Sequence, residues 1–229
     1  MKDLHAIWIV GLVLLLASCG HSEEIERLQR INSELNEKIR IQEQKMNELE
    51  NSHTKLNFLA SKTEGVKARM ITSLGEVEIE FYPDKAPIHA FNFITRAESG
   101  FYDQTRFHRV IPGFMIQGGD PNSKDENPYN NGQGGPIIAI PHEFNDINHS
   151  RGVLSMARTG DKSAGAGSQF FVMHANSPHL NNEYTAFGKV TSGMEVIDTI
   201  ADSPTNQDDA RLRDQPIEPV IIERIEVYR

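Results

Sequence analysis

Cysteine is nearly absent from this chain: among 229 residues only Cys19 carries a thiol. No intrachain disulfide can form, and no cysteine-based metal site can be assembled. Basic residues are scarce as well. Lys and Arg number 23 against 32 Asp and Glu, for a formal net charge of −9. Phosphate contacts need clustered Lys and Arg, and no such cluster occurs, so no nucleic-acid partner is expected. No apolar run reaches the ~20 residues of a comfortable membrane span. Motifs for metal and cofactor chemistry are missing too. His142-Glu143 has no second histidine at helical zinc spacing. His149, His174 and His179 show no ligand spacing. Ser168, in Gly-Ala-Gly-Ser-Gln, misses the nucleophile-elbow pattern. Gly132-Gln133-Gly134-Gly135 reads as a flexible loop rather than a phosphate cradle. Neither a metal nor a cofactor is expected.

What is present begins with a short apolar run, Ala6 to Ala17, preceded by Lys2. It fits the apolar region of a secretory signal, although Asp3 weakens the positive start. Leu16-Ala17-Ser18-Cys19 then resembles a bacterial lipobox. The resemblance implies a signal peptide over residues 1–18, cleavage before Cys19 and acylation of its thiol. A membrane-anchored lipoprotein of the bacterial envelope is the expectation. Gly20 does not resemble an inner-membrane retention aspartate, which favours the outer membrane, facing the periplasm, with surface display and the inner membrane as the alternatives.

From residue 21 to residue 64 there is neither glycine nor proline, and the composition turns to Glu, Lys, Gln, Asn, Ile and Leu. A heptad frame fits from Ile25 to Ala60. One core position holds Ile25, Asn32, Ile39, Met46, His53 and Ala60; the other holds Leu28, Leu35, Gln42, Leu49 and Leu56. A sustained 3.5-residue repeat is what a coiled coil requires, and a core asparagine such as Asn32 favours a parallel dimer. Lys38 with Glu43 and Lys45 with Glu50 are complementary across such an interface. Residues 19–64 therefore read as a lipidated cysteine and a coiled-coil stalk, homodimeric through residues 25–60. A break is expected over Ser61 to Gly65. A lone solvated helix or a tether is the alternative.

Residues 65–229 read as a separate domain. Val66 to Ile71 and Glu76 to Tyr82 alternate apolar with polar and predict a hairpin. Pro87 opens a helix with Ile88, Phe91 and Ile94 on one stripe, and Gly100 stops it. Further strands are expected over 107–111, 114–117, 152–157, 169–174, 185–190 and 220–227, with a second helix after Ser192-Gly193. Polar stretches 120–136 and 202–215 read as long loops. Many short strands with two helices predict a mainly β domain: a closed antiparallel barrel capped by two helices and preceded by the long amino-terminal helix.

The chemistry gathers in Phe107-His108-Arg109-Val110-Ile111-Pro112-Gly113-Phe114-Met115-Ile116-Gln117-Gly118-Gly119-Asp120. Pro112-Gly113 turns the chain between two strands. Alternation puts Met115 and Gln117 on one face and Ile116 on the other, with His108 and Arg109 opposed. A guanidinium, a thioether, an amide and an aromatic ring can share one surface. Such a surface suits a partly apolar ligand that offers carbonyl oxygens, such as a peptide.

With Gly152-Val153-Leu154-Ser155-Met156-Ala157-Arg158, Gly167-Ser168-Gln169-Phe170-Phe171-Val172 and Phe187-Gly188-Lys189-Val190, this stretch closely resembles the cyclophilin family of peptidyl-prolyl cis-trans isomerases. The resemblance covers roughly Val66 to Arg229. It implies the family's barrel, no cofactor, and proline-containing polypeptide segments as partners. Arg109 matches the catalytic arginine; Phe114, Met115, Phe171 and Leu180 match the proline pocket. Gln117 and Gln169 are implied to bond substrate backbone, and Ala157 and Arg158 to present backbone groups to it. His179 and Tyr184 stand at the pocket rim, where tryptophan and histidine are common. Arg158 replaces a usual asparagine, and the loop Thr159 to Gly167 is slightly longer than usual. Isomerisation of Xaa-Pro bonds in envelope proteins is the implied function. A non-catalytic proline-binding chaperone or scaffold module, or a coiled-coil spacer with a passive head, are the competing readings.

Overall fold

The computed structural model describes residues 22–135 and 139–229. Cys19 and the lipobox lie outside them, as do Ile137 and Ile138. The chain divides into two units, Met1–Thr54 and Lys55–Arg229.

Helix α1, Ser22–Thr63, carries Glu23 and Glu24 in its first turn and Lys62 in its last, the polarity that the helix dipole favours. Leu28, Leu35, Ile39, Met46, Leu49 and Leu56, six of the heptad core positions, are exposed. The break expected over Ser61 to Gly65 falls after Thr63, where the helix ends. Ser61 and Thr63 turn their hydroxyls back to the carbonyls of Phe58 and Leu59, at 2.8 and 3.0 Å, and so stay within the helix. Gly65, at φ +70°, lets the chain leave it. No helix among the described residues is long and apolar enough to cross a membrane.

The second unit is built on one antiparallel sheet. Its strands are β1 Lys67–Thr72, β2 Gly75–Phe81, β3 Thr105–Arg106, β4 Arg109–Ile111, β5 Met115–Gly118, β6 Val153–Arg158, β7 Ala166–Met173, β8 Thr185–Ser192 and β9 Ile221–Tyr228. Their order is β3-β9-β1-β2-β8-β6-β7-β5-β4. The barrel is therefore open, and the expected closure fails between β3 and β4. Those two edge strands are consecutive in the chain, with only Phe107 and His108 between them, and they do not pair with each other. Backbone donors along this edge find partners elsewhere: Phe107 N–H, between the strands, donates to the Val220 carbonyl at 2.9 Å, and Val110 N–H of β4 to the Asp214 carbonyl at 2.7 Å. A stretch of the carboxy-terminal loop fills the seam.

Period-2 patterning explains which face goes inward. In β2, Val77, Ile79 and Phe81 are buried and the residues between them are not. Strand β7 is buried on both faces: Phe170 and Val172 join the barrel interior, Phe171 and Met173 a second, outer cluster. Helix α2, Pro87–Glu98, contributes Phe93 to the interior. Its ring lies 5.0–5.7 Å from those of Phe81, Tyr102, Phe170 and Phe187. Ala86 gives this helix no side-chain cap. Instead the Glu143 carboxylate accepts from Ile88 N–H (3.1 Å) and His89 N–H (2.8 Å) and meets His89 Nδ1 at 2.7 Å. Helix α3, Met194–Ala201, adds Ile197 and Ile200 to the same interior.

Candidate active site

The register of four strands writes the site onto the outer face of the sheet. Arg109 on β4 pairs with Gln117 on β5, Gln117 with Phe171 on β7, and Phe171 with Ser155 on β6. Residues directly opposite in antiparallel strands share a face, so these four side chains form one row. Two residues along, on the same face, come Met115 and Met173, which pair with each other. Arg109, Phe114, Met115, Gln117, Ala157, Arg158, Phe171, Leu180 and Tyr184 together line a cleft of about 110 Å³. That is well below the ~300 Å³ where drug-sized pockets begin, and it suits one small ring.

The floor is apolar and fixed. Met115, Phe171 and Leu180 are buried. Tyr184 meets Phe171 edge-on at 5.6 Å and 83°. Beneath Phe171 lies His149, its ring stacked at 6.1 Å. Burial pushes the His149 imidazole below its usual pKa, so it is held neutral. Asn181 Oδ1 lies 3.3 Å from Nδ1, and Ser155 Oγ 2.9 Å from Nε2. The amide oxygen can only accept, which assigns the proton to Nδ1 and makes Nε2 the acceptor of the Ser155 hydroxyl.

The polar side is a relay of amides. Gln117 Nε2 donates to Gln169 Oε1 at 3.0 Å, and Gln169 Nε2 donates to the Gly134 carbonyl at 2.7 Å. That carbonyl is held because the buried Asp120 carboxylate accepts from the backbone N–H groups of Asn122, Gly132 and Gly134. Gly134 has to be glycine here, since a Cβ would fall 2.0 Å from Asp120 Oδ1. Arg109 donates through Nε to Asp214 Oδ2 at 3.3 Å, and both side chains are partly exposed.

Of the residues anticipated from sequence, Gln169 and His179 lie beside the cleft rather than in its lining. Gln169 acts through Gln117. His179 is exposed and stacks on Phe114 at 5.8 Å and 26°. Arg158 turns its guanidinium away from the peptide-facing strand. It donates to the carbonyls of Glu183 and Thr159, both at 2.9 Å, and lies over the Tyr184 ring at 4.6 Å. Asp214, Asp120 and the His149–Ser155 pair were not anticipated. Asp120 closes the motif already singled out, but nothing in the pattern says that its carboxylate points inward. Asp214 lies in a polar loop without periodicity.

Beyond Arg109 the cleft continues into a groove of about 790 Å³, also lined by Gln117, Arg158, Arg211, Arg213 and Asp214. An apolar notch flanked by fixed amides and one guanidinium, opening on a groove, accommodates a chain that inserts one ring and runs on past it.

Comparison with known proteins gives this arrangement its class. The family described as cyclophilin type peptidyl-prolyl cis-trans isomerase/CLD matches residues 67–227. Peptidyl-prolyl cis-trans isomerase CYP18-1 of Arabidopsis thaliana is 40% identical over 163 residues, 69% of this chain and 92% of the relative. Peptidyl-prolyl cis-trans isomerase B of Bacillus subtilis is 49% identical over 122 residues, 52% of this chain and 79% of the relative. A crystal structure of a Cryptosporidium parvum cyclophilin type isomerase, determined in the presence of the dipeptide Ala-Pro, superposes with a TM-score of 0.63. It is 34% identical, over 71% of this chain and 99% of that one. The chain belongs to the cyclophilin-type peptidyl-prolyl cis-trans isomerase family, and its reaction is cis–trans isomerisation of peptidyl-prolyl bonds.

Proposed function

We propose that Arg109 is the catalytic residue and that the cleft lined by Phe114, Met115, Phe171 and Leu180 takes the proline ring. The observation that carries this reading is the cross-strand row that sets a guanidinium beside an apolar notch of single-ring size. The presence of Ala-Pro with the Cryptosporidium relative supports a proline-containing occupant.

The barrier to rotation about the Xaa-Pro bond is ~18–20 kcal/mol and comes from amide resonance. Twisting the bond pyramidalises the prolyl nitrogen and frees its lone pair. A group that binds the twisted amide better than either planar form lowers that barrier. The Arg109 guanidinium supplies such a donor, and Phe114, Phe171 and Leu180 hold the ring while the chain on the other side of the bond turns. Gln117, oriented by Gln169, bonds the substrate backbone, as do main-chain groups of Ala157 and Arg158. No proton or covalent bond is transferred.

Removing a donor aimed at developing charge costs ~2–4 kcal/mol, so Arg109→Ala lowers kcat/KM by roughly 30- to 1000-fold on Xaa-Pro peptides. An Arg109→Ala protein with its fold intact and full turnover removes Arg109 from the mechanism. A wild type that binds such peptides without accelerating their isomerisation establishes the non-catalytic module instead.

The setting is part of the proposal. The head stands on a dimeric coiled coil, anchored through acyl chains on Cys19, and acts on proline-containing segments of envelope proteins during folding. The lipobox residues and the exposed heptad side chains of α1 support this. Intact-mass analysis showing an unacylated, soluble mature chain, or sedimentation showing a monomer at high micromolar concentration, sinks the respective part. Two heads on one stalk engage a client at two prolines with avidity set by their spacing.

A further inference from the structure

We propose that Asp214 is a positioning residue for Arg109, a role that rests on the assignment of Arg109 as the catalytic group. Three observations converge on it. Asp214 Oδ2 receives the Arg109 Nε–H at 3.3 Å and is the one hydrogen-bond partner of that side chain among the described residues. Gripping Nε fixes the plane of the guanidinium and leaves both terminal nitrogens free for the substrate. Second, the carboxylate is delivered by main chain rather than by chance. The Asp214 carbonyl accepts from Val110 N–H at 2.7 Å, in the seam that the barrel leaves open next to β4. The flanking residue Gln215 is tied down by its N–H to Leu212 O (2.8 Å) and by Asn131 Nδ2 to its Oε1 (3.1 Å). The loop that completes the barrel wall thus carries the residue that aims the guanidinium. Third, Arg158, Arg211 and Arg213 line the same groove as Arg109, and Asp214 is the one acidic residue among its lining. Arg211 and Arg158 are already engaged by Asp209 and Glu183, at 3.1 and 3.5 Å, so Asp214 is the carboxylate of that lining left to Arg109.

A carboxylate against a guanidinium could also weaken it as a donor to the prolyl nitrogen. The pair is open to water, with 44% and 37% of the two side chains exposed, so its charges are screened. Orientation then outweighs neutralisation, because a misaimed donor loses its grip on the twisted amide while a screened one keeps it.

The test uses the full chain on an Xaa-Pro peptide. Asp214→Ala is expected to lower kcat about three- to tenfold with KM changed less than about twofold, the signature of a contact felt in the transition state. Asp214→Asn, which keeps an acceptor oxygen, recovers part of the loss. In an Arg109→Ala background the Asp214→Ala substitution is expected to cost nothing further, which a merely structural role for the loop would not produce. Only the side chain is altered, so the Val110 anchor to the main chain survives, and unchanged melting of Asp214→Ala checks this. An Asp214→Ala protein with unchanged or raised kcat, or with the same loss in the Arg109→Ala background, overturns the proposal. A wild type without isomerase activity overturns the catalytic reading itself, so the two failures are distinguishable.

Discussion

Gln169 is the point at which the stability of the head and the aim of its site are joined, and its truncation should show both. Its two bonds, 3.0 Å from Gln117 and 2.7 Å to the Gly134 carbonyl, tie β5, β7 and the 130–135 loop into one unit. Gln169→Ala removes both and leaves two part-buried groups without partners. At about 1 kcal/mol net for each bond the loss is roughly 2 kcal/mol. For a unit of this size each kcal/mol shifts Tm by about 2–4 °C, so melting should fall by about 4–8 °C. Gln117, no longer held, samples other rotamers, and KM for a proline peptide should rise more than kcat falls, since the amide is proposed to bond substrate backbone. Gln169→Glu separates the two bonds. It keeps the acceptor for Gln117, sets an anion against the Gly134 carbonyl, and should restore KM while leaving Tm low. Calorimetry and peptide kinetics on the three proteins decide the matter. A Tm within about 1 °C of wild type, or a kcat loss with KM unchanged, refutes the relay.

Two further outcomes are expected. Burial lowers the pKa of His108, which the Asp120 carboxylate only partly opposes, and lowers that of His149. The unfolded chain, with histidines near ~6.5, then binds more protons than the folded one. Stability is complete above about pH 6.5 and is lost as pH falls from there through the lower folded values; a flat Tm between pH 7 and pH 5 contradicts this. By the sequence resemblance His179 takes the place of a tryptophan found in many eukaryotic family members, and here it is an exposed ring stacked on Phe114. Losing an indole donor costs about 1–3 kcal/mol, so cyclosporin should inhibit weakly, and His179→Trp should tighten inhibition about 10- to 100-fold with little change in kcat/KM. Equal inhibition constants remove His179 from drug discrimination.

Sequence made the row legible because strands have a period of two. Once Arg109, Met115 and Gln117 are placed on one face of a hairpin, the alternation in Gln169, Phe171 and Met173 does the same for β7. The structure then needs only the register to bring them together. What stayed illegible lacks a period. Strand β3 is two residues long, too short to leave a pattern. Hydrophobic alternation reports which face is buried, not whether the last edge finds a partner, so it does not tell an open barrel from a closed one. The filling of that seam by the Asp214 carbonyl depends on a loop of polar residues whose path is set by tertiary contacts. In the sequence Glu143 reads only as half of a metal motif; its service as a remote cap for α2 joins positions 55 apart in the chain.

The reaction explains why the site belongs on a sheet face and not on loops alone. Only a geometry better matched to the twisted amide than to either planar form accelerates rotation. A floor that relaxes with its ligand binds all three forms alike and accelerates nothing. Met115 and Phe171 are packed with Val153, Met173 and Ala186 in one buried cluster although they face outward from the barrel. Phe170 and Val172, the inward neighbours of Phe171, are fully buried in the barrel. A side chain whose strand is fixed on both faces cannot follow the substrate as it turns, so the cost of holding that geometry is met in folding and does not recur at each turnover. Around that floor the rim residues Tyr184, partly exposed, and His179, exposed, are freer to adjust, while Arg109, also partly exposed, is held through Nε by Asp214. It follows that substitutions at the rim should redistribute affinity among ligands, while loosening the floor should lower kcat for every substrate alike.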